Sequence, residues 1–193
     1  MRKIIMASNN EGKIKEAQKI LKEYKIITMS ELNINVDVEE DKETFAENAV
    51  LKAETISKIA NGMLCIADDS GIEVEYLNGF PGVKTKRWFD GTDRQRNLAL
   101  IEKLNSIPKE NRKVKFTTAI AVSNGKDTIV VTDFMEGYIS NEPRGDNGFG
   151  FDEIFELEDG RTLAELNQEE KNSISSRKKA LEKMSLELKK YEL

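Results

Sequence analysis

The chain alternates between short apolar runs and amphipathic stretches, so its hydrophobic period switches between two and about 3.6. Residues 3–7 (KIIMA) read as a buried strand. SNNEGK then leads into a helical pattern with Ile14, Ala17, Ile20, Leu21 and Tyr24 on one face. Residues 25–29 predict a second strand, and the acidic stretch 31–43 a surface loop. A helix over 44–60 opens with Thr44 and Glu47 at capping-box spacing. It buries Phe45, Ala49, Val50, Ala53 and Ile56 and stops near Gly62. Residues 63–67 (MLCIA) form an apolar strand that DDSG breaks, and 72–77 alternate as another strand ending in the turn NGFPG. Asp93 is placed to cap a helix over 94–105, and 114–122 and 127–134 flank Asn124-Gly125 as a hairpin. A glycine-rich loop occupies 143–150. A charged helix spans about 168–190, with Ile174, Leu181, Met184, Leu188 and Tyr191 on one stripe. Strand–turn–helix units beside a hairpin indicate one α/β domain over 1–193 with a mixed sheet and no internal repeat or linker.

Composition narrows the chemistry. Charged residues make up 34% of the 193 positions, and apolar residues 38%, enough for a core. The net charge of −5 weighs against a sequence-independent grip on nucleic acid. No apolar run approaches the ~18–20 residues of a membrane span, and the N-terminal apolar stretch is too short for a signal peptide. The expectation is a cytoplasmic protein with neither nucleic-acid nor membrane partners. There is one Cys and no His, which excludes an intrachain disulfide, CxxC zinc sites, Ser-His-Asp and Cys-His pairs and HExxH sites. Carboxylates, lysines, arginines, hydroxyls and an oxygen-liking metal remain.

Several clusters can supply that chemistry, each with a plainer alternative. Ser8-Asn9-Asn10-Glu11-Gly12-Lys13 lies between a strand end and a helix start, where backbone N–H groups attract anions; a simple capped turn uses the same residues. Asp68-Asp69-Ser70-Gly71 follows an apolar strand. Adjacent carboxylates there need counter-charge, which Mg²⁺ can supply, and their side chains diverge. An Asp/Ser/Gly turn is the alternative. Glu39, Glu40 and Lys52, taken singly, read as surface charges. In PRGDNGFGFD, Phe149, Gly150, Phe151 and Asp152 can stack on and hydrogen-bond to a planar ring, or the phenylalanines can turn into the core. Lys171, Ser175 and Arg177 form a polar cluster or a solvated helix face. Together these are the parts of a nucleoside triphosphate pocket.

The segments ASNNEGKIKE, ETFAENAVLKA, ADDSGIEVEYLNGFPGV, EPRGDNGFGFDEIF, and TLAEL followed by EEKNSISSRKKAL occur in that order. On these the chain resembles the non-canonical purine nucleoside triphosphate pyrophosphatases, which act on inosine and xanthosine triphosphates and their deoxy forms. The resemblance implies an elongated mixed β-sheet with flanking helices, two lobes around a central cleft, and a homodimer. It implies Mg²⁺-dependent hydrolysis between the α and β phosphates, clearing deaminated purines from the nucleotide pool. By position, Ser8, Asn9, Asn10, Glu11, Gly12 and Lys13 would hold the triphosphate, with Lys52 as a second cation. Asp69 would be the catalytic carboxylate, with Asp68 and Lys13 beside it, and Glu39 (or its neighbour Glu40) would ligate Mg²⁺ with Asp69. Ser70 would contact substrate, Phe149, Gly150, Phe151 and Asp152 would line the base pocket, and Lys171, Ser176 and Arg177 would reach the base. The family reads Ser-His-Arg where this chain reads Ser175-Ser176-Arg177, so a short hydroxyl that cannot become cationic replaces an imidazole. That departure bears on base selectivity. A related pyrophosphatase with altered base choice, or a nucleotide sensor without hydrolysis, are the competing readings.

Overall fold

The computed structural model describes residues 1–191, with side chains through 190. In chain order the elements are β1 (Arg2–Met6), α1 (Glu11–Ile20), β2 (Tyr24–Thr28), α2 (Phe45–Ile59), β3 (Cys65–Val74) and β4 (Phe80–Pro81). They continue with α3 (Asp93–Lys103), β5 (Lys113–Ser123), β6 (Thr128–Ile139), β7 (Phe155–Glu156), α4 (Gln168–Ile174) and α5 (Ser176–Tyr191). Among the described residues a seven-stranded sheet takes the order β2-β1-β3-β5-β6-β7, with β4 paired to β3. β1 runs parallel to β2 and β3, whereas β3–β4 and β6–β7 are antiparallel, so the sheet is mixed as predicted. Among the described residues no helix is long and apolar enough to cross a membrane.

The chain divides into two compact units. The first holds Met1–Ser70, Thr118–Asp133 and the segment from Ser176 onward. Its strands alternate faces residue by residue. Ile4, Met6 and Ile66 pack with Ala17 and Leu21 of α1 and with Ala180, Leu181, Met184 and Leu188 of α5. Ile5 and Cys65 point the other way and pack with Ile56 of α2. Helices therefore cover both faces of the parallel strands. The predicted capping box is present, with the Glu47 N–H donating to Thr44 Oγ1 at 3.1 Å and the Thr44 N–H to Glu47 Oε2 at 3.1 Å. Val50 is half-buried rather than core. Tyr24 opens β2 instead of extending the face of α1, because Leu21 ends the helix and the chain turns back through Lys22.

The second unit holds Gly71–Thr117 and Phe134–Ser175. Ile72, Val74, Leu100, Leu104, Val114, Ile139, Phe151, Ile154, Phe155, Leu163 and Leu166 make its core. Arg112 is buried there, and among the described residues no carboxylate pairs with it. Its guanidinium donates to the carbonyls of Ile107 (2.8 Å), Leu104 (2.9 Å) and Ser140 (3.3 Å), adding a second donor at Leu104, whose carbonyl also accepts the Ile107 N–H at 3.0 Å. Thr92, not Asp93, caps α3, in a box with Gln95.

Two predicted boundaries are corrected. DDSG does not interrupt β3; Cys65–Val74 is one ten-residue strand, and the expected strand over 72–77 ends at Val74 in a 3₁₀ turn. β3 is paired to β1 at Cys65 and Ile66 and to β4 at Glu73 and Val74 and is also a neighbour of β5, and this sheet context overrides the aspartates' turn preference. The helix expected over 168–190 is two helices. Ser175 adopts ψ 122° and stops α4, its N–H bonding to the Lys171 carbonyl at 3.1 Å. The side chain of Tyr191, predicted on the α5 stripe, lies outside the described residues.

Candidate active site

The period of two along β3 sends its adjacent aspartates to opposite faces. Asp68 shares the face of Ile66 and meets the N-terminal ends of α1 and α5. Its Oδ2 lies 2.8 Å from Lys13 Nζ and accepts from Arg177 Nε at 3.3 Å. Asp69 shares the face of Cys65 and meets α2. Its Oδ2 accepts from Asn48 Nδ2 at 3.0 Å, and its Oδ1 from the Ser70 N–H at 2.9 Å. Lys52, one turn beyond Asn48 on α2, reaches Glu40 Oε1 at 2.5 Å and also donates to the Asp68 carbonyl. Residues from four separate stretches of sequence thus surround two consecutive positions of one strand.

Their electrostatic circumstances differ. Burial disfavours charge on Asp68, but Lys13, Arg177 and Lys52 outweigh it and hold the carboxyl well below the usual carboxylate range. Its Oδ1 is buried with no hydrogen-bond partner among the described residues. Asp69 is also buried, and there burial wins. With Glu40 adding like charge against the opposing Lys52, its carboxyl is raised above the ordinary value. Cys65, on the same face, has its thiol pushed up to about 12 by burial and is no nucleophile at neutral pH.

The other sequence-predicted residues fall as follows. Asn10 caps α1, its Oδ1 accepting the Lys13 N–H at 3.1 Å, and Ser8 Oγ accepts the Asn10 N–H at 3.2 Å. Asn9, Glu11 and Gly12 are exposed in the same turn. Glu39 is exposed, whereas Glu40 is half-buried and paired. Ser70 Oγ is 3.4 Å from Arg177 Nη2. Ser176 is buried, its hydroxyl 2.9 Å from Thr118 Oγ1, so that oxygen is engaged inside the protein.

In the second unit Asp152 Oδ2 accepts from Lys171 Nζ at 2.5 Å and from the Phe149 N–H at 2.7 Å. The Lys171 ammonium also lies 5.2 Å from the centroid of the Phe149 ring. The two phenylalanines divide the alternatives read from sequence. Phe149 is 61% exposed, while Phe151 is buried in the core, so its ring is spent on packing rather than stacking. Gly148 has φ +87°, and a Cβ there would lie 2.2 Å from Asp152 Oδ2 and 2.8 Å from Lys171 Nζ. The close pair requires glycine at that position. Lys171 and Arg177, read together as one polar cluster, serve different carboxylates: Asp152 and Asp68.

Sequence reasoning missed Asn48. It is fully buried, and besides holding Asp69 it accepts the Lys42 N–H at 3.0 Å. A signal existed: Asn48 and Lys52 fall on the helical stripe of Phe45 and Ile56, where polar side chains are out of place unless they serve something.

A mixed α/β sheet with helices on both faces and a buried cluster of acids and cations beside its parallel strands defines the class of this protein. It belongs to the Ham1 family, whose model matches residues 4–186. It is similar to the dITP/XTP pyrophosphatase of Bacillus licheniformis, with 42% identity over 96% of this chain and 97% of that one. It is likewise similar to the dITP/XTP pyrophosphatase of Bacillus subtilis, with 43% identity over 96% of each. Among solved structures, the HAM1 protein from Coxiella burnetii superposes with a TM-score of 0.90 at 38% identity, covering 98% of this chain and 100% of that one. The Staphylococcus aureus Ham1 protein gives 0.90 at 37%, covering 98% and 99%.

Proposed function

We propose that this chain hydrolyses non-canonical purine nucleoside triphosphates (dITP, ITP, XTP and dXTP) to the nucleoside monophosphate and pyrophosphate. The observation that carries the reading is the unequal pair on β3. Asp68 is neutralised by Lys13 and Arg177, and Asp69 is buried against an amide with its carboxyl raised. One position gathers cations for a polyphosphate, and the next keeps a base. The names of the full-length relatives point to the same reaction.

In this reading Lys13, Lys52 and Arg177 bind the phosphates, and the turn from Ser8 to Gly12 presents backbone N–H groups to them. Asp69 orients a water and takes its proton as the water oxygen bonds to phosphorus. The bond between the α and β phosphates breaks, and pyrophosphate leaves with the electron pair. Asn48 holds the Asp69 carboxylate in place for that transfer. Phe149, Asp152 and Lys171 read the base, a 6-oxo purine being distinguished from adenine by the donor that Lys171 supplies. Since the Ser176 hydroxyl is bonded to Thr118, base reading falls to those three rather than to Ser176.

A divalent cation fits the donor set. Asp69 is a buried carboxylate whose direct partners are a side-chain amide and a backbone N–H, and Glu40 stands near enough to raise it. Among the described residues there is no group of three His, Cys, Asp or Glu that could hold a metal. Two oxygen donors completed by water and phosphate suit Mg²⁺, which favours such partial protein coordination. Asp69 and Glu40, in preference to the exposed Glu39, would hold it. When bound it supplies screening of the phosphate charge.

The test is a panel of nucleoside triphosphates assayed for pyrophosphate release with Mg²⁺. dITP and XTP are expected to turn over at least ~100-fold faster than dATP in kcat/KM. Equal rates would remove the base assignment, and orthophosphate as the first product would remove the reaction.

A further inference from the structure

The loop that carries Phe149 and Asp152 is held by α3, an element to which no part of the reaction has been assigned. Asp93 and Asn97 are four residues apart and share one face of the helix. Between them they take both polar groups of the Gly150 peptide residue. The Gly150 N–H donates to Asp93 Oδ2 at 3.1 Å, and the Gly150 carbonyl accepts from Asn97 Nδ2 at 2.8 Å. The second Asn97 donor goes to Glu153 Oε1 at 2.8 Å, whose other oxygen accepts from Arg94 at 3.0 Å. The clamp thus closes on both sides of Phe151 and Asp152. Gly150 sits at φ +64°, a left-handed conformation that glycine adopts without steric cost, so the loop turns there and the two hydrogen bonds fix where it turns. Asn97 is 1% exposed, and its Oδ1 is buried with no partner among the described residues. Burying an amide with one end unsatisfied costs stability. A side chain placed there for packing alone would be apolar.

We propose that Asn97 is a specificity-determining positioning residue: by clamping Gly150 and Glu153 it fixes the segment that presents Phe149 and Asp152 to the base. It touches no substrate and acts through the loop. The inference rests on the base-recognition reading above and adds to it the helix that holds the reader in register. A small displacement of Asp152 would carry Lys171 with it, since the two are joined at 2.5 Å, and would move the donor that separates a 6-oxo purine from adenine.

The experiment compares kcat/KM for dITP and dATP in the wild-type protein, in Asn97→Leu and in Asp93→Ala. Leucine keeps the size of asparagine and removes both donors. The ratio of the two constants does not depend on the fraction of protein folded, so a merely structural defect lowers both rates and leaves it unmoved. The dITP-to-dATP ratio is expected to fall about tenfold in Asn97→Leu and about threefold in Asp93→Ala. A wild-type ratio in Asn97→Leu overturns the proposal. If Asn97→Leu does not fold, Asp93→Ala at its exposed position decides, and an unchanged ratio there overturns it equally. Failure of the wild-type protein to release pyrophosphate from dITP would instead bring down the functional reading, and this inference with it.

Discussion

Replacing Asp69 by Asn is expected to leave the fold within about 1 kcal/mol of the parent while lowering kcat at least ~100-fold. The raised carboxyl of Asp69 means that its charge is held at a cost, so an amide relieves burial while removing the base. Asp68→Asn should do the opposite to stability. Asp68 is the shared counter-ion of Lys13 and Arg177, and taking away its charge removes that carboxylate from two largely buried cations, a loss of about 3 kcal/mol. Urea denaturation of both variants, read beside pyrophosphate release, checks the contrast. Equal destabilisation by the two substitutions would contradict the division of labour between them. That the side chains of residues 68 and 69 diverge was legible in the sequence, because strand geometry forces it. Which carboxylate met cations was not, because Arg177 lies more than a hundred residues away along the chain.

Helices and strands here succeed by carrying polar side chains on otherwise apolar faces. α2 buries Phe45 and Ile56 yet brings Asn48 and Lys52 to β3 from the same stripe. α3 buries Leu100 and from the same stripe clamps the loop at Gly150 through Asp93 and Asn97. Arg112, just before β5, links the end of α3 to the start of the segment after β6 through three carbonyls. Arg112→Met would keep much of the stem's packing and take the Arg112 donors from the Ile107 and Ser140 carbonyls, while the Leu104 carbonyl keeps the Ile107 N–H, so it should cost about 2 kcal/mol, seen as a lowered urea midpoint. A midpoint unchanged from the parent would show that water reaches the carbonyls. Element types were legible from periodicity and capping residues, as the Thr44–Glu47 box demonstrates. Boundaries were less so. The break at Ser175 has no glycine or proline to announce it, and the continuity of β3 through DDSG depends on its neighbours in the sheet.

For the molecule as a whole, a net charge of −5 opposes the approach of a triphosphate, so binding depends on local cations and on added positive charge. Stripping divalent ions with a chelator should therefore lower pyrophosphate release at least ~100-fold, with recovery on adding Mg²⁺. Full activity in excess chelator would remove the metal from the proposed reaction. The same charge balance, with no His and one buried Cys, had already confined the chemistry to acids, cations and hydroxyls. Composition is a property of the covalent chain and cannot be altered by folding. Periodicity likewise carried the α/β character and the mixed sheet, because each side chain's direction follows from its place along a helix or strand. Three assignments waited on the folded molecule: Glu40 half-buried and paired with Lys52 where Glu39 is exposed, Phe149 outward and Phe151 inward, and Asn97 clamping Gly150. Each is settled by a partner far off in sequence, and no local pattern encodes which distant group a polar side chain will find.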